Sequence, residues 1–216
     1  MSLHKNFVLT IIAISIGAMG LIVMAQAAQA QSSAGSKLTQ EVNAGVISTD
    51  FTNSSGDTVS NPSFSLSAVT TSTTGNMTST GTFATSTQRA TVDNPGAATT
   101  FTLTLAATNP SIGWYNDTAP TVSVYKHNGA TASEGQLSVT TAGTLGTYNS
   151  GTTTGITGAT TGTFTGATPI TLMSGAAGMD TVWRGYIYGV GLSQVIPQGT
   201  PAANYSIDLT QTVTAS

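Results

Sequence analysis

The chain has 216 residues, with five Lys and Arg against eight Asp and Glu, two His, no Cys and a formal net charge of −3. Binding a phosphate backbone draws on clustered cations, and the few scattered here exclude nucleic acid as a partner. The lack of Cys removes thiol nucleophiles, thiolate metal ligands and disulfides, so the fold has to be held by its core alone.

Residues 1–30 read as a signal peptide. A short start carrying Lys5 leads into an apolar run over residues 7–24, and Ala28-Gln29-Ala30 gives the small-residue spacing of a cleavage site. The run is long enough to cross a bilayer, but no basic stop-transfer cluster follows it. Cleavage after Ala30 is therefore expected, leaving no stable membrane span and a single domain over residues 31–216. Mass spectrometry of the exported protein should find Gln31 at its start; a mature chain that keeps residues 7–24 would overturn the export reading.

Residues 31–36 are small and polar, a leader in front of the domain. Leu38, Val42, Val46 and Ile47 give residues 37–50 strand character, broken at Asn43-Ala44-Gly45. Residues 53–57 are a turn cluster, and Pro62 precedes Phe64, Leu66 and Ala68 at alternate positions, the period of a half-buried strand. Residues 70–82 are threonine-rich with little to bury. Residues 89–105 read as a hairpin: Val92 ends one arm, Asn94-Pro95-Gly96 turns the chain, and Phe101, Leu103 and Leu105 alternate with Thr in the other. Trp114 and Tyr115 fall in a loop over residues 109–120. Val122, Val124 and Lys126 lead to an Asn128-Gly129 turn, and Leu137 and Val139 mark the next strand. Residues 140–168 are almost wholly Thr, Gly, Ala and Ser; Leu145, Tyr148, Ile156 and Phe164 suit them either to short edge strands or to a flap. Ile170, Leu172 and Met173 make one more strand.

The chain closes on residues 182–214, read as a hairpin joined by a loop holding Pro197, Gly199 and Pro201. In its first arm Tyr186, Tyr188, Val190 and Leu192 share one face and Ile187 the other; in its second Tyr205, Ile207, Leu209 and Val213 alternate with polar residues. The ending GLSQVIPQGTPAANYSIDLTQTVTAS resembles that of small secreted bacterial surface domains, the WxL-type cell-surface domain among them. The resemblance covers the last 35 or so residues and implies envelope association without chemistry. The Trp-x-Leu signature itself is replaced here, since Trp114 is followed by Tyr-Asn and Trp183 by Arg-Gly.

No window of the mature part carries a helical apolar stripe. Thr dominates, and 24 Gly and seven Pro punctuate short alternating runs. β-branched residues favour extended backbone and disfavour helix. The expected fold class is all-β, a single antiparallel β-sandwich of immunoglobulin-like or jelly-roll-like kind.

Chemistry finds little to work with. His127 is the only His of the mature part, beside a turn, and is expected to be solvated. Asp93, Asp117 and Asp180 lie near turns, two of them near a Trp, but nothing in the sequence pairs them, and lone turn aspartates cap their own backbone. No Asp-x-Asp-x-Asp-Gly calcium loop is present. Catalytic residues, cofactor and metal are each expected to be none. Trp183 is expected in the core, and Trp114 with Tyr115 is the candidate ligand-binding pair. The expected function is that of a secreted or cell-surface structural or adhesive protein of the bacterial envelope, as a filament or matrix subunit, and not an enzyme. The alternative is a carbohydrate- or cell-wall-binding module. Partners follow accordingly: cell-wall or extracellular polysaccharide, or self-association by strand addition through the segment that opens the mature chain.

Overall fold

The computed structural model describes residues 38–119, 122–148 and 151–215. The chain divides into two compact units, Met1–Val42 and Asn43–Ser216. The expected signal peptide lies outside the described residues, and residues 38–42 of the first unit are exposed and without regular structure.

The second unit is all-β, an antiparallel sandwich whose single helical element among the described residues is a 3-10 turn, Ala132–Glu134. Its strands are β1 (Ser48–Thr52), β2 (Met77–Phe83), β3 (Arg89–Pro95), β4 (Phe101–Ala107), β5 (Trp114–Asn116), β6 (Ser123–Tyr125), β7 (Gln136–Thr141), β8 (Thr144–Thr147), β9 (Ile156–Thr157), β10 (Gly162–Thr163), β11 (Ile170–Gly175), β12 (Val182–Tyr188), β13 (Val190–Ile196), β14 (Tyr205–Ser206) and β15 (Leu209–Ala215). They form four sheets: β1-β3-β12-β8, β10-β7-β13-β2, β15-β4-β11-β9 and the small β14-β5-β6.

The first two sheets share one bent ribbon. β12 and β13 are a single strand interrupted at Gly189, with β3 and β8 flanking its first half and β2 and β7 its second. Because β2 runs into β3 and β7 into β8, three neighbouring strands pass together from one sheet to the other. All three break at one level: at Gly189, over residues 84–88 and over residues 142–143. The Gly189 N–H donates to the Ala84 carbonyl at 2.9 Å across that corner. Gly189 has φ +70, a backbone that favours glycine. Strands that change sheets at bends are how a sandwich turns a corner.

The corner also inverts the facing of side chains. Trp183 and Ile187 are buried before Gly189, and Val190, Leu192, Gln194 and Ile196 after it. Tyr186 and Tyr188 therefore do not share the face of Val190 and Leu192, as an unbroken period of two predicts. One residue spent on the bend shifts the register of facing, as a bulge does. The two tyrosines lie half-buried on the opposite face, where the Arg89 guanidinium sits 4.1 Å from the Tyr186 ring centre and 5.7 Å from that of Tyr188.

Other expected pairings are also replaced. The closing hairpin does not form: β12 and β13 pair with the ribbon strands, β14 with β5 and β15 with β4. Nor do β3 and β4 form a hairpin, since Asn94 turns the chain from one sheet to the other. Its fully buried side chain accepts the Ala97 and Ala98 N–H groups at 3.0 Å and donates to the Ala98 carbonyl at 2.7 Å. A turn that satisfies its own polar groups in this way can be buried between sheets. Residues 70–82 bury little, as expected, Ser79 alone being buried, yet they hold all of β2 but Phe83, paired along its whole length with β13. Residues 64–68 make only one bridge, Leu66 with Gly81. Of the described part of the expected strand, residues 38–50, only Ser48 to Asp50, the start of β1, are strand. Residues 140–168 are short strands where described, with Ile156 and Phe164 buried.

A single apolar core joins the layers. Phe101, Leu103 and Leu105 of β4 meet Val92, Trp183 and Ile187 of the ribbon, and the Phe101 ring stacks on the Trp183 indole at 5.7 Å. Trp183 is 1 % exposed, as expected of a core plug, and its Nε1 donates to the Thr152 carbonyl at 2.9 Å.

Candidate functional site

The far half of the ribbon is β2 and β13, whose inward side chains Ser79, Phe83, Leu192 and Ile196 are buried. A cleft of about 930 Å³ opens there. Its floor is Met77, Ser79 and Phe83 of β2 with Leu192 and Ile196 of β13. One wall is the extended segment of residues 62–71, held to the edge of β2 by the Ser67 N–H donating to the Thr80 carbonyl at 2.7 Å. The opposite wall is residues 200–209, and the small sheet closes one side with Trp114, Tyr115 and Tyr125.

The two candidate residues of the sequence thus stand together at this cleft, on β5 rather than in a loop. Gly113 lets β5 start there, because a Cβ at that position would sit 2.2 Å from the Tyr125 carbonyl oxygen. The Trp114 indole stacks on Tyr125 at 5.9 Å, and Tyr125 meets the Tyr205 ring edge-on at 5.3 Å. Trp114 is half-buried, and its Nε1 donates to Gln194 Oε1 at 2.7 Å. Gln194 is fully buried, and its Nε2 donates in turn to the carbonyls of Val195 at 2.6 Å and Lys126 at 3.3 Å. This chain of bonds fixes the indole against the sheet beneath it.

Polar groups flank these rings. The Tyr115 hydroxyl donates to Asp208 at 3.1 Å, and burial, then the Asp208 carboxylate, raises its pKa above the ordinary phenol value. Burial raises the Tyr125 hydroxyl further, with Tyr205 adding to it. Both phenols stay protonated at neutral pH. Ser206 donates to Asp117 at 2.5 Å, and the Tyr205 hydroxyl to the Pro201 carbonyl at 2.7 Å. The result is a cleft in which aromatic rings and hydroxyl groups stand side by side.

Sequence reasoning missed Tyr125, Tyr205, Gln194 and Asp208. Gln194 carried a signal, being the one strongly polar side chain among the buried positions of β13. The other candidates stay apart. Asp93 faces the Arg184 Nε at 3.5 Å, Asp117 takes Ser206, and Asp180 accepts the Thr152 N–H at 2.7 Å. No group of three or more His, Asp or Glu gathers as a metal site among the described residues. His127 is not solvated: it is 1 % exposed, edge-on to Phe164 at 6.2 Å. The Asn128-Gly129 pair beside it is not an exposed turn either: Asn128 is half-buried and bridged to Gln136, and Gly129 is buried.

Compared with known proteins, the chain matches no family model, no curated protein and no solved structure.

Proposed function

We propose that the protein is an exported, non-catalytic β-sandwich of the bacterial envelope, structural or adhesive in role, that works by holding an extended chain in this cleft. The observation that carries the reading is the cleft itself, lined by β2 and β13, by residues 62–71 and 200–209 and by the aromatic side chains of the small sheet. A cleft with apolar lining and a few convergent polar groups is the default place for a ligand. The export signal of the sequence, the few charges and the likeness of its ending to WxL-type surface domains support the address. A filament or matrix subunit is the form of the role preferred here. Fractionation of the producing cells, with light scattering and electron microscopy of the purified protein, tests it. Envelope association with concentration-dependent polymers is expected, and a protein found only as a free monomer in the medium would overturn it.

One observation favours a second reading, a carbohydrate-binding module. The Tyr205 ring and the hydroxyls of Tyr115 and Ser206 stand on one wall, the mix of aromatic face and polar groups that sugars use. A glycan array separates the two. Saccharide binding that Tyr205→Ala weakens about tenfold or more, the scale of losing one aromatic contact, would select the module.

A further inference from the structure

The three most exposed large hydrophobic side chains among the described residues lie close together in sequence: Leu38 at 97 %, Val42 at 85 % and Val46 at 83 %. Their spacing of four places all three on one side of an extended chain, with Gln40 and Ala44 between them on that side. Such a segment has the pattern of a strand with one face to bury, yet residues 38–47 belong to no strand. The one backbone hydrogen bond described within it is the Gly45 N–H to the Pro95 carbonyl at 3.1 Å.

We propose that residues 38–46 of one copy lie in the cleft of a second copy, joining copies head to tail. The proposal rests on the structural reading above and names the chain that the cleft holds. Direction argues for it. β1 pairs with β3 so that Thr52 faces Arg89 and Ser48 faces Asp93, and Gly45 is tied to Pro95. Followed backward from β1, the segment leaves at the Pro95 end of β3. The cleft lies on β2, beyond the Arg89 end of β3, at the other end of the same ribbon. The stem of the donor, residues 43–47, therefore leaves the second unit at the end opposite its cleft, the heterologous arrangement that propagates into open chains rather than closing a dimer.

Chemistry agrees with direction. The cleft offers Phe64, Leu66, Leu192, Ile196 and Leu209 to apolar side chains. Residues 62–71, which line it, belong to no strand and make one described bridge, which leaves main chain for an added strand to pair with. The exported chain, without Lys5, has four Lys and Arg against eight Asp and Glu, a net charge of −4, so long-range repulsion between copies is small.

The absence of Cys makes the test clean. Val42→Cys is made in one preparation of the exported chain and Ala203→Cys, on the cleft wall, in another. Disulfide formation requires Cα atoms within about 7 Å. Mixing the two under mild oxidation should give a reducible heterodimer, and the double variant should give a ladder of multimers. Val182→Cys, exposed but away from the cleft, replaces Ala203→Cys in the control and should give neither. Leu38→Asp and Val42→Asp, at positions exposed in the single chain, should leave Tm unchanged and raise the self-association midpoint about tenfold or more, the scale of burying one such side chain. Polymers that form with no cross-link above the control would overturn the proposal and leave the structural reading standing. A chain that stays monomeric while binding saccharide would overturn both in favour of the carbohydrate module. A monomer that binds nothing would overturn all three.

Discussion

Trp183→Ala is expected to lower stability by about 3–5 kcal/mol, the range for emptying a fully buried aromatic site. The indole is 1 % exposed and stacked on Phe101, so its removal opens a void between β12 and β4, the strands that bring two sheets together. It also strands the Thr152 carbonyl, which loses its 2.9 Å donor. The site cannot collapse easily, because the ring already lies folded over Gly185: a Cβ there would stand 2.1 Å from Trp183 Cζ2. Gly185→Ala should therefore destabilise as well, by displacing the ring rather than deleting it. Trp183→Phe keeps part of the packing and should fall between wild type and alanine. Chemical denaturation with both variants checks this, and a loss under about 1 kcal/mol for Trp183→Ala, the level of an ordinary surface change, would show that the indole does not hold the layers together.

The alternation in Phe101-Thr-Leu-Thr-Leu and in β13 made the fold class legible, because a period of two reports directly which face of a strand is buried. Pairing was not legible. Residues 94–96 look like a hairpin turn, yet Asn94 is buried and carries the chain between sheets. A turn signal states that the chain reverses, not which strand it returns to. The bend at Gly189 was hidden for a related reason: a single glycine between two alternating runs leaves both patterns intact while exchanging their faces. β2 was overlooked because its strand character comes from Thr and Ser paired to β13, with Phe83 its one large buried side chain.

Half of the candidate site was legible. Trp114 and Tyr115 stand out in any reading of a threonine-rich chain, and both line the cleft. Tyr125 and Tyr205 complete the aromatic end from 10 and 90 positions further along, through the β5–β6 and β14–β5 pairings. Such convergence is a property of topology, which single-sequence periodicity does not carry.

Acid should loosen the fold through His127. The ring is buried against Phe164, and its Nδ1 has no hydrogen-bond partner among the described residues. Burial disfavours the charged imidazolium, so the pKa in the folded chain is lowered from the ordinary histidine value. The sign follows from linkage. Below the unfolded-state value of about 6.5 the unfolded chain binds a proton that the folded chain resists, so stability is intact above that pH and falls as the pH drops toward the folded-state value. Glu134 does not confuse the window. Its hydrogen bond from Lys126 holds its carboxyl below the usual range, so its own loss of stabilisation comes at more acid pH. Melting curves between about pH 7.5 and pH 5.5, where carboxylates stay ionised, should show Tm falling for the wild type. His127→Gln removes the titrating group at similar length and should flatten that dependence, even if its own Tm starts lower. Parallel losses of Tm in the two proteins would place the acid sensitivity elsewhere and show that the buried imidazole accepts its proton without strain.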